Sequence, residues 1–208
     1  QTASALERVA KEFVEDLAAD GVVYGEIRWA PEQHLSAGLT LDGAVEAVQR
    51  GIDAGIDSVA STGRTVRAGQ LLTVLRHLDR GLDIAELAVR HRDRGVVGFD
   101  AAGPEAGFPA SRHRAAFDYL AEHFMPRTVH AGEADGIESI RGALLDGRAL
   151  RLGHGVRVME DITFNDVGDS VEVTFGEVAE WVRDREIPLE ISPSSNLQTG
   201  AWGRTIEE

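Results

Sequence analysis

Four places in the chain gather side chains able to bind metals or move protons. These are Asp100 followed by Gly103, His130 followed by Glu133, His154 between Gly153 and Gly155, and Ser192 through Asn196. Imidazole and carboxylate are the usual groups for metal ligation and for general acid–base work. With no cysteine in the chain, thiolate nucleophiles are excluded, and any metal site is built from His, Asp and Glu. Each residue also has a plain alternative. Asp100 suits a turn or a cap, His130 a hydrogen-bonded core position, and Glu133 a helix N-terminus, where a carboxylate is stabilised. His154 between glycines suits a tight bend, and Ser192-Pro193-Ser194-Ser195-Asn196 is ordinary turn composition.

The elements that must position these groups follow from periodicity. Leu6, Val9, Ala10, Phe13, Val14 and Leu17 fall at helical spacing before Gly21, which predicts a helix over 4–20 closed by a glycine cap. Strands are predicted at 22–29, 70–75, 95–100, 128–130, 150–153 and 189–191. Helices are predicted at 40–60, 83–92, 111–124, 135–146 and 176–186, the fourth with Asp135 and Glu138 as a capping box. Residues 162–175 alternate apolar and polar around Asn165-Asp166-Val167-Gly168-Asp169, the pattern of an inserted hairpin. Strands alternating with helices imply βαβ units and a parallel sheet. The four reactive groups then all lie at carboxyl ends of strands, the edge where α/β proteins place their sites.

Composition narrows the class. At 208 residues, 43% hydrophobic and 27% charged, the chain is a globular domain and not a disordered or collagen-like one. A formal net charge of -14, with no basic run, argues against a nucleic-acid partner. No apolar stretch reaches the roughly 20 residues that span a bilayer, and Gln1 to Ala10 lacks the layout of a signal peptide. A cytoplasmic protein is expected. The motifs GxGxxG, GxxxxGK[ST], GxSxG and HExxH are all missing.

In their order, Gly98-Phe99-Asp100-Ala101-Ala102-Gly103-Pro104-Glu105, Thr128-Val129-His130-Ala131-Gly132-Glu133, Leu152-Gly153-His154-Gly155 and Leu189-Glu190-Ile191-Ser192-Pro193-Ser194-Ser195-Asn196 resemble the adenosine deaminase family. Tyr24-Gly25-Glu26-Ile27-Arg28-Trp29-Ala30-Pro31 resembles its second strand, so the likeness runs from about Val22 to the end. One lysine, Lys11, among abundant arginines suggests a bacterial protein from a GC-rich genome.

The resemblance implies a (β/α)8 TIM barrel that hydrolyses the 6-amino group of adenosine and 2′-deoxyadenosine, giving the inosine product and ammonia. It implies one zinc ion per complete protein, which would supply hydroxide near neutral pH. His130 matches a zinc ligand. Glu133 matches the proton donor to purine N1 and must be protonated when substrate is bound. His154 matches the histidine that orients and supports the hydroxide without ligating zinc. Gly103 matches the glycine whose backbone N–H donates to purine N3.

Two departures stand beside these matches. The family's first strand carries a His-x-His zinc pair, and none occurs among His34, His77, His91, His113, His123, His130 and His154. Its eighth strand carries an aspartate pair that would lie beyond Glu208. The expectation is therefore an incomplete barrel over 1–208, a single domain holding about strands 2 to 7. By itself this chain is expected to be inactive, to hold zinc weakly or not at all, and to self-associate through exposed sheet edges. The partner is expected to be a small purine nucleoside, with no nucleic acid or membrane. The nearest alternatives are an amidohydrolase acting on adenine or another 6-aminopurine, and a catalytically silent barrel.

Overall fold

The computed structural model of the chain describes residues 1–201; the predicted likeness over 202–208 lies outside the described residues. It falls into two compact units, the first comprising 1–75, 80–100 and 119–126, the second 76–79, 101–118 and the chain from 127 onward.

In the first unit, α1 (Ala3–Ala19) is capped by the Thr2 hydroxyl, which accepts the Ala5 N–H, and ends before Gly21 at φ 81°. β1 (Tyr24–Trp29) pairs in parallel with β2 (Arg67–Leu75), Tyr24 opposite Arg67 through Trp29 opposite Leu72. Between them lies α2 (Leu41–Ala60), capped by Thr40. Then come α3 (Gly81–Arg90) and β3 (Val96–Ala102), whose last two residues belong to the second unit. Leu71, Leu72, Thr73 and Val74 are all buried, as expected of a strand covered on both faces.

The apolar stripe of α1 packs Leu6, Ala10, Val14 and Ala18 against Ala44, Val48, Ile52 and Val59 of α2. That seam is tight enough that a Cβ at Gly51 would sit 2.2 Å from the Glu7 carbonyl oxygen. The stripe is rotated slightly from the predicted one, since Val9 is exposed and Ala18 is buried.

α4 (Arg114–Glu122) contributes to both units. In the second unit β4 (Arg127–Ala131) is followed by α5 (Ile137–Leu145) and β5 (Arg151–His154). The predicted hairpin forms as antiparallel β6 (Ile162–Val167) and β7 (Ser170–Phe175), turning through Gly168 at φ 63°. α6 (Glu177–Asp184), β8 (Leu189–Glu190) and α7 (Pro193–Thr199) complete the described chain. β5 pairs in parallel with β4, Thr128 opposite Arg151, and with β8, Leu152 opposite Leu189.

Two local expectations are corrected. The Asp135/Glu138 capping box does not form: α5 is capped at Gly136 without a side-chain bond, and the Asp135 carboxylate accepts the Gly136 N–H at 2.8 Å. Residues 193–199 are a helix, not a turn. Pro193 stands at its start and Gly200, at φ 67°, just past its end, the arrangement that favours a short helix.

Candidate active site

His130 is the fourth residue of β4 and His154 the last of β5, and the register sets Ala131 opposite His154 and His130 opposite Gly153. The imidazoles of His130 and His154 meet edge to face, centroids 5.3 Å apart at 64°. Gly153 makes room for this: a Cβ there would lie 2.8 Å from Cγ and Nδ1 of His130. The Arg76 guanidinium, itself buried, donates to the His130 carbonyl at 2.7 Å and to the Phe108 carbonyl at 2.8 Å, tying the end of β4 to the loop after β3.

His154 has an unusual backbone, φ 66°, which few non-glycine residues adopt and which often marks functional positions. Its Nε2 lies 3.2 Å from Oε2 of Glu133. Its Nδ1 is 2.9 Å from the amide nitrogen of Asn196 on α7. The amide donates to Nδ1, so the neutral ring carries its proton on Nε2 and presents it to Glu133. Burial lowers the His154 pKa, the facing Glu133 carboxylate opposes that, and the His130 ring adds to it.

Glu133 lies in the loop between β4 and α5, its side chain mostly covered at 20% exposure. Its Oε1 accepts from the Ser195 hydroxyl at 3.3 Å and the Thr199 hydroxyl at 3.2 Å. Hydroxyls donate or accept by rotating, so this surrounding suits both protonation states of the carboxyl. Gly103 follows β3 with φ 99°, a conformation in which an L side chain is strained. Two residues on, Glu105 is buried and its carboxylate receives the backbone N–H groups of Gly132, Glu133, Ala134 and Asp135.

The fold thus brings His130, Glu133 and His154 into one cluster, with Gly103 on the loop that grips it through Glu105. Asp100 lies away from this cluster. It is fully buried in the first unit, 3.3 Å from the Arg28 guanidinium and accepting from the Thr73 hydroxyl at 3.2 Å. The sequence assigns no individual role to Arg76, Glu105, Ser195, Asn196 and Thr199, although Ser195 and Asn196 lie in the Ser192–Asn196 segment singled out above. The signal for most of them was in hand, because Glu105 and Ser192–Asn196 belong to the quoted motifs.

A family model for adenosine deaminase matches residues 1–208. The chain belongs to the adenosine deaminase family. A curated adenosine deaminase 1 of Streptomyces coelicolor is 56% identical over 201 residues, covering 97% of this chain and 50% of that protein. An adenosine deaminase of Mycobacterium sp. (strain KMS) is 53% identical over 207 residues, covering 100% of this chain and 56% of that one. The chain spans about half the length of these curated family members.

The crystal structure of an adenine deaminase from Arthrobacter aurescens superposes with a TM-score of 0.79 at 24% identity, covering 99% of this chain and 57% of that one. That likeness shows the fold: an α/β barrel, incomplete over these residues. No helix among the described residues is long and apolar enough to cross a membrane.

Proposed function

We propose that the protein to which this chain belongs is a cytoplasmic, zinc-dependent adenosine deaminase. It hydrolyses adenosine and 2′-deoxyadenosine to inosine and 2′-deoxyinosine with release of ammonia. The observation that carries this reading is the contact of Glu133 with His154, at 3.2 Å, beside the His130 ring, in a chain the family model matches throughout. The same unbroken match supports reading 1–208 as part of one barrel domain.

Attack of an oxygen nucleophile on purine C6 pushes electrons onto N1, so a proton must be delivered there. Glu133 is the proposed donor, with Ser195, Thr199 and His154 to orient its two oxygens. Gly103 is the proposed donor to N3, its backbone N–H free of a side chain that would block a flat ring. His154, held by Asn196, is the proposed orienting group for the nucleophile. His130 offers an imidazole of the kind that ligates zinc. Among the described residues, however, no three His, Asp or Glu side chains are grouped to hold a metal. These residues do not make a zinc site by themselves.

Incubating the full-length protein with adenosine and, separately, with adenine tests the substrate class. Conversion of adenosine to inosine with equal release of ammonia is expected. Turnover of adenine alone would move the assignment to free bases.

A further inference from the structure

Glu105 is buried, at 6% exposure, and all of its carboxylate's hydrogen bonds among the described residues go to one loop. Oε1 accepts the Gly132 N–H at 2.6 Å; Oε2 accepts those of Glu133, Ala134 and Asp135 at 3.1, 2.6 and 3.1 Å. Successive N–H groups turned inward form an anion cradle, here filled by a carboxylate of the same chain. Gly132, at φ 71°, makes the turn that aims them. A buried carboxylate must be compensated, and these four dipoles do so. The cradle includes the backbone of Glu133, so it fixes where that residue's Cα sits and how its side chain reaches His154 Nε2 at 3.2 Å.

We propose that Glu105 is a positioning residue for deamination: by gripping the 132–135 backbone it holds the Glu133 carboxyl where the purine N1 must be protonated. This rests on the proposed function, and it adds a residue that touches neither substrate nor the reacting atoms. Position matters on this scale, because a shift of about 1 Å in an acid costs on the order of 10²-fold in rate. Glutamine at 105 keeps the size but turns an NH₂ toward N–H donors. Aspartate keeps the charge but withdraws it by one methylene.

The test uses the full-length protein and its Glu105→Gln, Glu105→Asp, Glu133→Gln and Glu105→Gln/Glu133→Gln variants, with kcat and KM for adenosine and amide hydrogen exchange over 128–135. Glu105→Gln should lower kcat about 10²-fold with KM nearly unchanged, and Glu105→Asp should recover part of that loss. The double variant should fall within about twofold of Glu133→Gln, since a residue acting through Glu133 has nothing left to position. Exchange should quicken at 132–135 and stay slow at Thr128 and Val129.

An unchanged kcat in Glu105→Gln, losses that multiply in the double variant, or exchange that quickens equally throughout β4 would overturn the proposal. If the wild-type protein leaves adenosine unchanged, the proposed function fails. Exchange then decides the grip alone, and unaltered exchange at 132–135 in Glu105→Gln overturns it.

Discussion

Nε2 of His154 and Oε2 of Glu133 face each other at 3.2 Å, joining the ends of two stretches that the parallel pairing of β4 and β5 sets side by side. Asn196 fixes the other side of the imidazole and Glu105 the backbone beneath the carboxyl. Histidine and glutamate therefore meet as two groups each held from behind, the condition for a preorganised proton-transfer site.

Gly153→Ala places a methyl 2.8 Å from the root of the His130 ring, which cannot move aside by flexing its far end. The expected cost is about 1–3 kcal/mol of stability, the usual range for overpacking, and activity falls because the ring is displaced. Thermal unfolding and adenosine turnover of the full-length variant check this. Wild-type values in both would show that the close approach of β5 to His130 has no consequence.

Zinc content separates a ligand from a core histidine. In the full-length protein His130→Ala should lower bound zinc along with activity, because a ligand contributes binding free energy as well as geometry. Residues 1–208 alone should hold zinc weakly, since no three candidate ligands are grouped among the described residues. Elemental analysis decides both, and an alanine variant with full zinc would return His130 to a core role.

His113 supplies a pH dependence away from the cluster. It is buried, with Nε2 3.1 Å from the Arg76 carbonyl, and burial lowers its pKa while that hydrogen bond opposes the shift. Below the ordinary histidine value of about 6.5 the unfolded chain takes up a proton that the folded chain refuses until lower pH. The neutral ring's contribution is thus present above that value and lost as pH falls. Between about pH 7.5 and 5.5, His113→Gln should lose less melting temperature than wild type; equal losses would contradict this.

Much of the fold was legible because periodicity is a local property. The spacing of Leu6, Ala10 and Val14 gave a helix, and the alternation in 162–175 gave a hairpin, both of which the structure contains. α7 was missed although Pro193 and Gly200 mark its ends, because its serines and asparagine suit turns equally well. The capping box failed for a tertiary reason. The N–H groups through Asp135 belong to Glu105, and that bond spans 27 to 30 residues.

In the cluster, His130, Glu133, His154 and Gly103 could be named from motifs. Partners such as Ser195 and Thr199 reach Glu133 across 62 and 66 residues, and no spacing rule reports that.

We propose that Glu133 delivers a proton to purine N1 as an oxygen nucleophile adds at C6. Turnover of adenosine by the full-length protein and by its Glu133→Gln variant, with circular dichroism and zinc content measured on both, addresses this most directly. Glutamine keeps the shape and the contacts to Ser195 and Thr199 but has no proton to give. The expected result is intact folding, nearly intact zinc and a loss of about 10²-fold or more in kcat. A variant that deaminates adenosine at the wild-type rate would contradict the account and leave Glu133 as a carboxylate placed to stabilise the start of α5.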